Sequence, residues 1–332
     1  MFEVVFLGTS ASAPSIYRGL SAAAVLAGED RFLVDCGEGT QRQILRSGIG
    51  FKRLNRIFLT HAHLDHLLGL GGLVSTFTRW ENLEDLHIWG GRSTLDRVET
   101  LLFGVVLRNQ EPPIPIHLHR VQPGVLYTGR NFTVSAFPVT HRGPECFGYV
   151  FQENSRRPFL ADQATALGVP VGPERSQLVR GESITVADGR VITPDMVLGE
   201  EIRGIKLVFT GDVARTHNLR EVVAEADALV IEGTFLERDR QMADSFGHIT
   251  VEQAAELATD TGVRGLLINH VSRRYREIDM VNAARRIFPD AIIVRDLDHY
   301  IVRRDQPLLK KEEPLPSEDE IIEDDPGTSL LD

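Results

Sequence analysis

The sequence predicts an α/β fold, and three observations support this prediction. Apolar strand-like segments and amphipathic helix-like segments alternate in two passes along the 332-residue chain. Hydrophobic residues make up 42% of the sequence, which is enough to bury a large core. Polar residues of the types that bind metal ions directly follow several apolar strands. We therefore expect a folded body over residues 1–304 whose functional side chains lie on loops at strand ends.

The predicted elements follow from hydrophobic periodicity and from turn residues. In the first half they are strands over most of residues 2–35, a helix over 40–46, a short strand over 56–59, a helix-compatible segment over 67–77 and a helix over 94–106. In the second half they are strands at 132–138, 147–151, 206–210, 228–231, 265–269 and 291–294, with helices at about 250–261 and 278–287. The sequence contains no short-period repeat.

The most informative segment is the run at residues 60–66, which holds three of the chain's 11 histidines and one aspartate. It connects a strand to a helix-compatible segment. His61 and His63 can project to one side of the extended part, and Asp65 and His66 then fall at the start of the helix. Imidazole together with carboxylate favours Zn²⁺ or Mn²⁺. Four ligands in six residues exceed the need of one tetrahedral ion that keeps a water, so we expect two metal ions.

This H-x-H-x-D-H run resembles the signature of the metallo-β-lactamase superfamily. The superfamily takes its remaining ligands from the ends of later strands, as a histidine, an aspartate and a final histidine. In this chain His141, Asp212 and His270 follow predicted strands in that order. Asp35 also matches, at a position where the superfamily has an aspartate that orients the metal loop without binding metal.

Within the superfamily, nearly the whole chain resembles tRNase Z (ribonuclease Z). The matching segments are Phe6–Ser10, Asp35–Gln43, Phe246–Thr250 followed by Glu252–Ala255, and His270–Tyr275. Two segments depart from the family pattern. Ile231 stands where many members have the histidine of a His-Glu-Ala-Thr motif, and the loop at residues 14–19 matches the family's Pro-x-Lys-x-Arg-Asn loop only in part.

The resemblance implies the αββα four-layer metallo-β-lactamase sandwich and a zinc-dependent endoribonuclease. Such an enzyme removes the 3′ trailer from precursor tRNA by metal-hydroxide attack on a phosphodiester, and it leaves a 3′-hydroxyl on the tRNA. An alternative function stays open at this point, namely a hydrolase of the same fold that acts on small phosphodiesters or other small esters. Activity on precursor tRNA, compared with activity on a small chromogenic diester, distinguishes the two.

The resemblance and the residue spacing together assign roles to the candidate site residues. We expect two Zn²⁺ ions per chain, with Mn²⁺ as an alternative, and a bridging carboxylate from Asp212. The expected ligands are His61, His63 and His141 for one ion and Asp65, His66 and His270 for the other. Asp65 is also the general base that the resemblance implies. His248 is the candidate general acid, and Glu232 is expected to orient it and to raise its pKa.

The remaining histidines lack a matching context. His117 and His119 alternate within a predicted strand, and we interpret them as ordinary strand residues.

An insertion at about residues 154–203 interrupts the alternation of strands and helices. It contains the Gly-Pro pair Gly172-Pro173 and a predicted hairpin with its turn at Asp188-Gly189. The segment resembles the flexible arm of tRNase Z, which protrudes from the body and grips the elbow of the tRNA, often across a homodimer. Four of its arginines are candidates for phosphate contacts, namely Arg156, Arg157, Arg175 and Arg180. The alternative is a surface insertion with ordinary solvated charges.

The net charge of −11 is concentrated at the C-terminus. Residues 305–332 contain ten acidic and two basic residues, so −8 lies there and −3 remains on residues 1–304. We expect this acidic, proline-rich tail to be disordered. Two cysteines give no disulfide framework, and no apolar stretch approaches the length of a membrane span. The sequence thus predicts a cytoplasmic enzyme that acts on precursor tRNA, without a membrane or DNA partner.

Overall fold

The computed structural model describes residues 1–80 and 83–312, without the side chains of residues 78–80. The chain divides into two compact units. The larger unit consists of Met1–Gln152 together with the chain from Ile205 onward, and the smaller unit is Glu153–Gly204. Within the described residues, no helix has the length and apolar character needed to span a membrane.

Two mixed β-sheets form the larger unit. Within the described residues the first sheet has eight strands, in the spatial order β17 (Leu309–Lys311), β16 (His299–Val302), β1 (Phe2–Gly8), β2 (Ala22–Ala27), β3 (Asp30–Val34), β4 (Arg56–Phe58), β5 (Leu86–Gly90) and β6 (Ile116–Arg120). The second has seven there, in the order β15 (Ile292–Ile293), β14 (Leu266–Asn269), β13 (Ala228–Glu232), β12 (Lys206–Phe209), β9 (Cys146–Glu153), β8 (Phe132–Val139) and β7 (Gly124–Thr128).

The α-helices of the described residues follow the same alternation. They are α1 (Thr40–Arg46), α2 (Leu70–Trp80), α3 (Arg92–Glu99), α4 (Ala161–Ala166), α5 (Pro173–Val179), α6 (Arg220–Val223), α7 (Arg240–Phe246), α8 (Val251–Asp260) and α9 (Glu277–Arg285). The predicted helix at residues 40–46 is confirmed.

Three apolar clusters give the larger unit four layers. The central cluster lies between the sheets, where rings such as Phe32 of β3 and Phe151 of β9 meet with centroids 5.5 Å apart. A second cluster joins the outer face of the first sheet to α1 and α2 through residues such as Ile44 and Leu73. The third joins the second sheet to α8 and α9. The resulting order of helix, sheet, sheet and helix is the predicted αββα sandwich.

The segment after the polar run differs from the expectation. Leu64–His66 forms a separate 3₁₀ turn, and α2 begins only at Leu70. The reason is a close backbone approach, because a Cβ on Gly69 would lie 2.0 Å from the carbonyl oxygen of Gly37. The predicted helix at 94–106 also differs, since α3 ends at Glu99 and a π-helix, Thr100–Val106, continues it.

The C-terminal boundary of the folded body differs as well. Strand β17 pairs antiparallel with β16, so the first sheet continues past the boundary predicted at residue 304. The ammonium of Lys310 lies 2.6 Å from a carboxylate oxygen of Asp298, which helps to hold this strand. The prediction that the chain is disordered from residue 305 is therefore wrong for β17. The rest of the predicted acidic tail, residues 313–332, lies outside the described residues.

The smaller unit has an apolar cluster of its own, which includes Leu178 of α5 and Ile192. Two short strands, β10 (Ile184–Thr185) and β11 (Val191–Ile192), form the predicted hairpin, and Gly189 in its turn has φ +85°. Two of the four arginines that are candidates for phosphate contacts form hydrogen bonds within their own unit. Arg157 donates to the carbonyl oxygens of residues 198 and 199, and Arg175 donates to those of residues 169 and 170.

Candidate metal centre

The polar run is held against the end of β3 by Asp35. One carboxylate oxygen of Asp35 accepts the backbone N–H of Thr60 at 2.8 Å, and the other lies 2.8 Å from Nδ1 of His66. A carboxylate can only accept, so His66 donates through Nδ1 and its Nε2 lone pair is left free. This is the orienting position that the family resemblance implies for Asp35.

Thr60 orients the next imidazole. Its hydroxyl donates to Asp35 at 2.9 Å and lies 2.9 Å from Nδ1 of His61. Because the hydroxyl proton is used on Asp35, His61 donates to the hydroxyl oxygen through Nδ1. Its Nε2 is therefore also left free.

His141 follows β8 and reaches the same place from the second sheet. Its Nδ1 donates to the carbonyl oxygen of Gly247 at 2.7 Å, and its Nε2 lies 3.3 Å from Nδ1 of His63. Gly247 ends α7 with φ +71°, in the left-handed region that favours glycine.

Asp212 occupies the centre of the cluster. It follows Gly211, which has φ +64° and sits so close to Thr60 that a Cβ there would lie 2.7 Å from the Thr60 Cβ. Glycine thus lets the end of β12 approach the polar run, and this approach brings the Asp212 carboxylate among the imidazoles. Asp212 itself is buried.

His270 follows β14 and is oriented by Thr234. Its Nδ1 lies 2.9 Å from the Thr234 hydroxyl, which donates to Glu232 at 2.6 Å. His270 therefore donates through Nδ1 and presents Nε2 to the cluster.

The free ligand atoms converge on Asp212. Its Oδ2 lies 3.3 Å from Nε2 of His270, 3.4 Å from that of His66 and 3.8 Å from those of His61 and His141. Asp65 stands beside this group, with Oδ2 3.5 Å from Nε2 of His270. Two groups of ligand atoms that lie close enough to hold a metal ion match the expected sets, His61, His63, His141 and Asp212 in one and Asp65, His66 and His270 in the other. His248 also forms such a group with Asp212 and His270, and another with His141 and Glu232.

The lack of hydrogen-bond partners at four of these ligand atoms also indicates a metal centre. Nε2 of His61, His66 and His270 and Oδ2 of Asp212 are buried and have no hydrogen-bond partner among residues 1–80 and 83–312. Buried polar atoms without a partner are costly, and several that face one another indicate a cationic ligand that satisfies them.

The electrostatics of the cluster also suit metal binding. Burial raises the pKa of Asp212, but the surrounding imidazoles, above all His270 and His66, hold this pKa well below its ordinary value. Burial, with the charge of His141, lowers the pKa of His63 to about 4. Burial lowers the pKa of His66, but the charges of Asp212 and Asp35 outweigh this effect and hold it well above its ordinary value. The cluster therefore favours positive charge, which a metal ion would supply when the imidazoles are neutral.

Asp65 is the more accessible of the two carboxylates. Its Oδ2 accepts the backbone N–H of Ser12 at 2.9 Å. Its side chain is 14% exposed, against 2% for Asp212. Asp65 can therefore reach water at the edge of the cluster, whereas Asp212 cannot.

Glu232 and His248 form a buried pair next to the cluster. Nδ1 of His248 lies 3.0 Å from Oε1 of Glu232, and the same carboxylate accepts the backbone N–H of Val213 at 2.7 Å. Burial lowers the pKa of His248, but the charge and hydrogen bond of Glu232 outweigh this effect and raise it to about 9. Glu232 thus favours the protonated form of His248 and fixes the orientation of its ring.

Known proteins with a similar sequence identify the family. A profile of the Beta-lactamase superfamily domain matches residues 30–202 and 179–271. The ribonuclease Z of Bradyrhizobium diazoefficiens is 46% identical over 302 residues, which are 91% of this chain and 100% of that protein. The ribonuclease Z of Archaeoglobus fulgidus is 39% identical over 300 residues, which are 89% of this chain and 96% of that protein.

The chain belongs to the ribonuclease Z family.

A solved structure agrees on the fold of this ribonuclease Z family member. The short form of human tRNase Z has a TM-score of 0.65, covering 91% of this chain and 99% of that chain at 23% identity. The family and the fold class predicted from the sequence are thereby confirmed.

The structure brings all nine predicted site residues of this ribonuclease Z family member into one region, and it adds three that the sequence did not single out. Thr60 and Thr234 orient imidazoles, and the Ser12 backbone binds Asp65. Thr60 is the first residue of the polar run, and this position was the available signal, whereas nothing local indicated Ser12. Ile231, at the position of the family histidine, is buried in the apolar cluster below α8.

Proposed function

We propose that this protein is a metal-dependent endoribonuclease that removes the 3′ trailer of precursor tRNA and leaves a 3′-hydroxyl on the tRNA. The observation that carries the proposal is the convergence of four partnerless buried ligand atoms on one point in a member of the ribonuclease Z family. Ribonuclease Z relatives cover nearly the full length of the chain, which supports transfer of the activity rather than of the fold alone.

The two ligand sets divide the centre between two ions. His61, His63 and His141 would hold one ion and Asp65, His66 and His270 the other, with Asp212 between them. Two Zn²⁺ or Mn²⁺ ions, when bound, would supply Lewis acidity toward the phosphodiester and lower the pKa of the attacking water.

Asp65 is proposed as the general base. Its carboxylate is partly exposed beside the cluster, and the Ser12 N–H fixes the orientation of one oxygen. It can take the proton of the attacking water while a new bond forms between that water's oxygen and phosphorus.

His248 is proposed as the general acid. The bond from phosphorus to the ribose 3′ oxygen breaks, and the leaving oxygen takes a proton from His248. Glu232 holds Nδ1 of His248, so Nε2 is the atom that would face the substrate. Glu232 also keeps the imidazole protonated until the proton is needed, because its charge raises the pKa of His248.

The smaller unit is proposed as the tRNA-binding arm, and the enzyme as a cytoplasmic homodimer in which the arm serves the partner's site. The support is the resemblance of its sequence to the family arm, together with its independent apolar cluster. Exposed apolar side chains on this unit, Val171, Val179 and Val191, offer contact surface. Of the four candidate arginines, Arg180 pairs only with the neighbouring Glu182 among the described residues, so it can exchange this exposed partner for phosphate.

The test is cleavage of a precursor tRNA with a 3′ extension, with product ends mapped at nucleotide resolution. We expect one cut near the end of the acceptor stem, a 3′-hydroxyl on the tRNA and a 5′-phosphate on the trailer. Asp65→Asn is the inactive control, because asparagine can still accept the Ser12 N–H but cannot act as a base. Hydrolysis of a chromogenic diester without cleavage of precursor tRNA would favour the small-ester function instead.

A further inference from the structure

A second group of metal-ligating side chains lies at the edge of the first sheet. Strands β5 and β6 run parallel, with His87 opposite His117 and Trp89 opposite His119. β6 is the last strand of the sheet within the described residues. His87 lies opposite Arg56 at the start of β4, whereas the metal centre follows the end of β4. The two groups share no residue.

We propose that Asp85, His87 and His117 bind a further divalent metal ion of the zinc class, separate from the catalytic centre. Oδ2 of Asp85 lies 3.1 Å from Nε2 of His87, and one ligand atom of each of the three residues lies within 4.8 Å of the others. Ligands about 2.0–2.2 Å from one ion lie at most about 4.4 Å apart. The exposed His117 side chain is the one that would have to move to close this difference.

The alternation of side chains along β5 and β6 places these histidines on one face of the sheet. Leu86 and Ile88 face the helical layer and are buried there. The intervening side chains face the other way, where Trp89 packs against Phe58 with ring centroids 4.8 Å apart. The imidazoles of His87 and His117 stack 4.7 Å apart on this face, so the group extends the inter-sheet core to the solvent.

Hydrogen bonds to the other polar atoms of His87 and Asp85 favour the tautomer and the orientation that bind a metal ion. Nδ1 of His87 lies 2.8 Å from Nε2 of His119. When Nδ1 donates in this contact, Nε2 of His87 carries a lone pair toward Asp85 and His117, as a metal ligand requires. The His119 ring stacks on Trp89 with centroids 4.6 Å apart, which fixes the accepting atom. Oδ1 of Asp85 accepts the Asn55 amide at 2.9 Å, which leaves Oδ2 for the ion.

Charge at this edge is compatible with a cation. Arg56, the nearest guanidinium in register, is directed to Asp30 and to the Tyr127 ring, 4.7 Å away. Two imidazoles and a carboxylate leave a coordination position for water, the donor set of an accessible zinc-class site.

The test is calorimetric titration of Zn²⁺ into the full-length enzyme after its catalytic centre has been filled with zinc and free metal removed. We expect one additional equivalent in the wild type, loss or at least tenfold weakening in His117→Ala, and wild-type binding in His217→Ala. His217 is an exposed histidine outside every ligand group of the described residues, so it controls for the loss of one imidazole. Precursor-tRNA cleavage by His117→Ala should stay at the wild-type level, which shows that the variant is folded.

Tryptophan fluorescence gives an independent readout. The chain has two tryptophans, so a Trp80→Phe background leaves Trp89, which contacts His119, as the single reporter. Added Cu²⁺ should quench this fluorescence saturably, and the quenching should weaken in both His117→Ala and Asp85→Asn. Absence of the additional equivalent, or equal binding and quenching in wild type and His117→Ala, would overturn the proposal.

Discussion

His248 and Glu232 form a buried hydrogen-bonded pair, in which Nδ1 of the imidazole lies 3.0 Å from the carboxylate. We assign neither residue to the two expected ligand sets, although a ligand atom of His248 lies close enough to those of Asp212 and His270 to share a metal ion with them. The proposed general-acid role of His248 and a ligand role predict different metal contents and different substrate dependences, so measurement distinguishes them.

Replacement of His248 by alanine should lower kcat on precursor tRNA by roughly 10²–10⁴, the usual contribution of a positioned acid. The loss should be much smaller on a p-nitrophenyl phosphodiester, because p-nitrophenolate leaves without protonation. Metal content, measured by elemental analysis, should equal that of the wild type. A variant that loses metal would make His248 a ligand, and equal impairment on both substrates would refute the general-acid role.

Glu232 should act on turnover through His248. We expect Glu232→Gln to lower kcat on precursor tRNA, and the double variant with His248→Ala to be no slower than His248→Ala alone, because coupled residues are not additive. Glu232 also binds the Val213 N–H and the Thr234 hydroxyl, so circular dichroism must confirm that the variant is folded. Additive losses in the double variant would mean that Glu232 has a role independent of His248.

Asp65→Ala should abolish turnover, because the substitution removes a ligand and the proposed base together. Affinity for precursor tRNA should change little, since most of the tRNA contacts lie elsewhere. Single-turnover cleavage and filter binding measure the two effects. If the variant keeps more than a few per cent of kcat, Asp65 has neither role.

The purified enzyme should contain about two equivalents of Zn²⁺ or Mn²⁺ in the seven-residue centre, measured by elemental analysis in the His117→Ala background. Chelation should abolish activity and lower Tm, because ions bound only by the folded state stabilise it and removal leaves partnerless atoms such as Nε2 of His270 buried. Restoring Zn²⁺ should recover both activity and Tm. A reproducible single equivalent under metal-replete conditions contradicts the dinuclear centre.

Removal of the smaller unit should impair activity on precursor tRNA but not on a small diester. Arg156 and Ile202 exchange both backbone hydrogen bonds, at 2.9 and 2.8 Å, so a two-residue turn can replace residues 157–201. We expect KM for precursor tRNA to rise tenfold or more, because remote binding energy is available only to the large substrate. Hydrolysis of the small diester and metal content serve as internal controls, and equal loss on both substrates would show that the unit supports the fold.

The sequence by itself determined what depends on local spacing. Three histidines and an aspartate within residues 60–66 define a metal loop because neighbours on a short turn stay close in any fold. The helix at Thr40–Arg46 and the hairpin turn at Asp188-Gly189 were predictable for the same reason. The family followed from motifs that are each contiguous in the chain.

Only the tertiary structure decided which atoms are free to bind. The lone pair of His270 depends on Thr234 and that of His141 on the Gly247 carbonyl, partners that lie far away in the sequence. The sequence alone indicates an ordinary strand residue at His117, because its neighbour His87 comes from another strand. The register between strands and the hydrogen bond on the second ring nitrogen are long-range properties, so a single segment of sequence does not encode them.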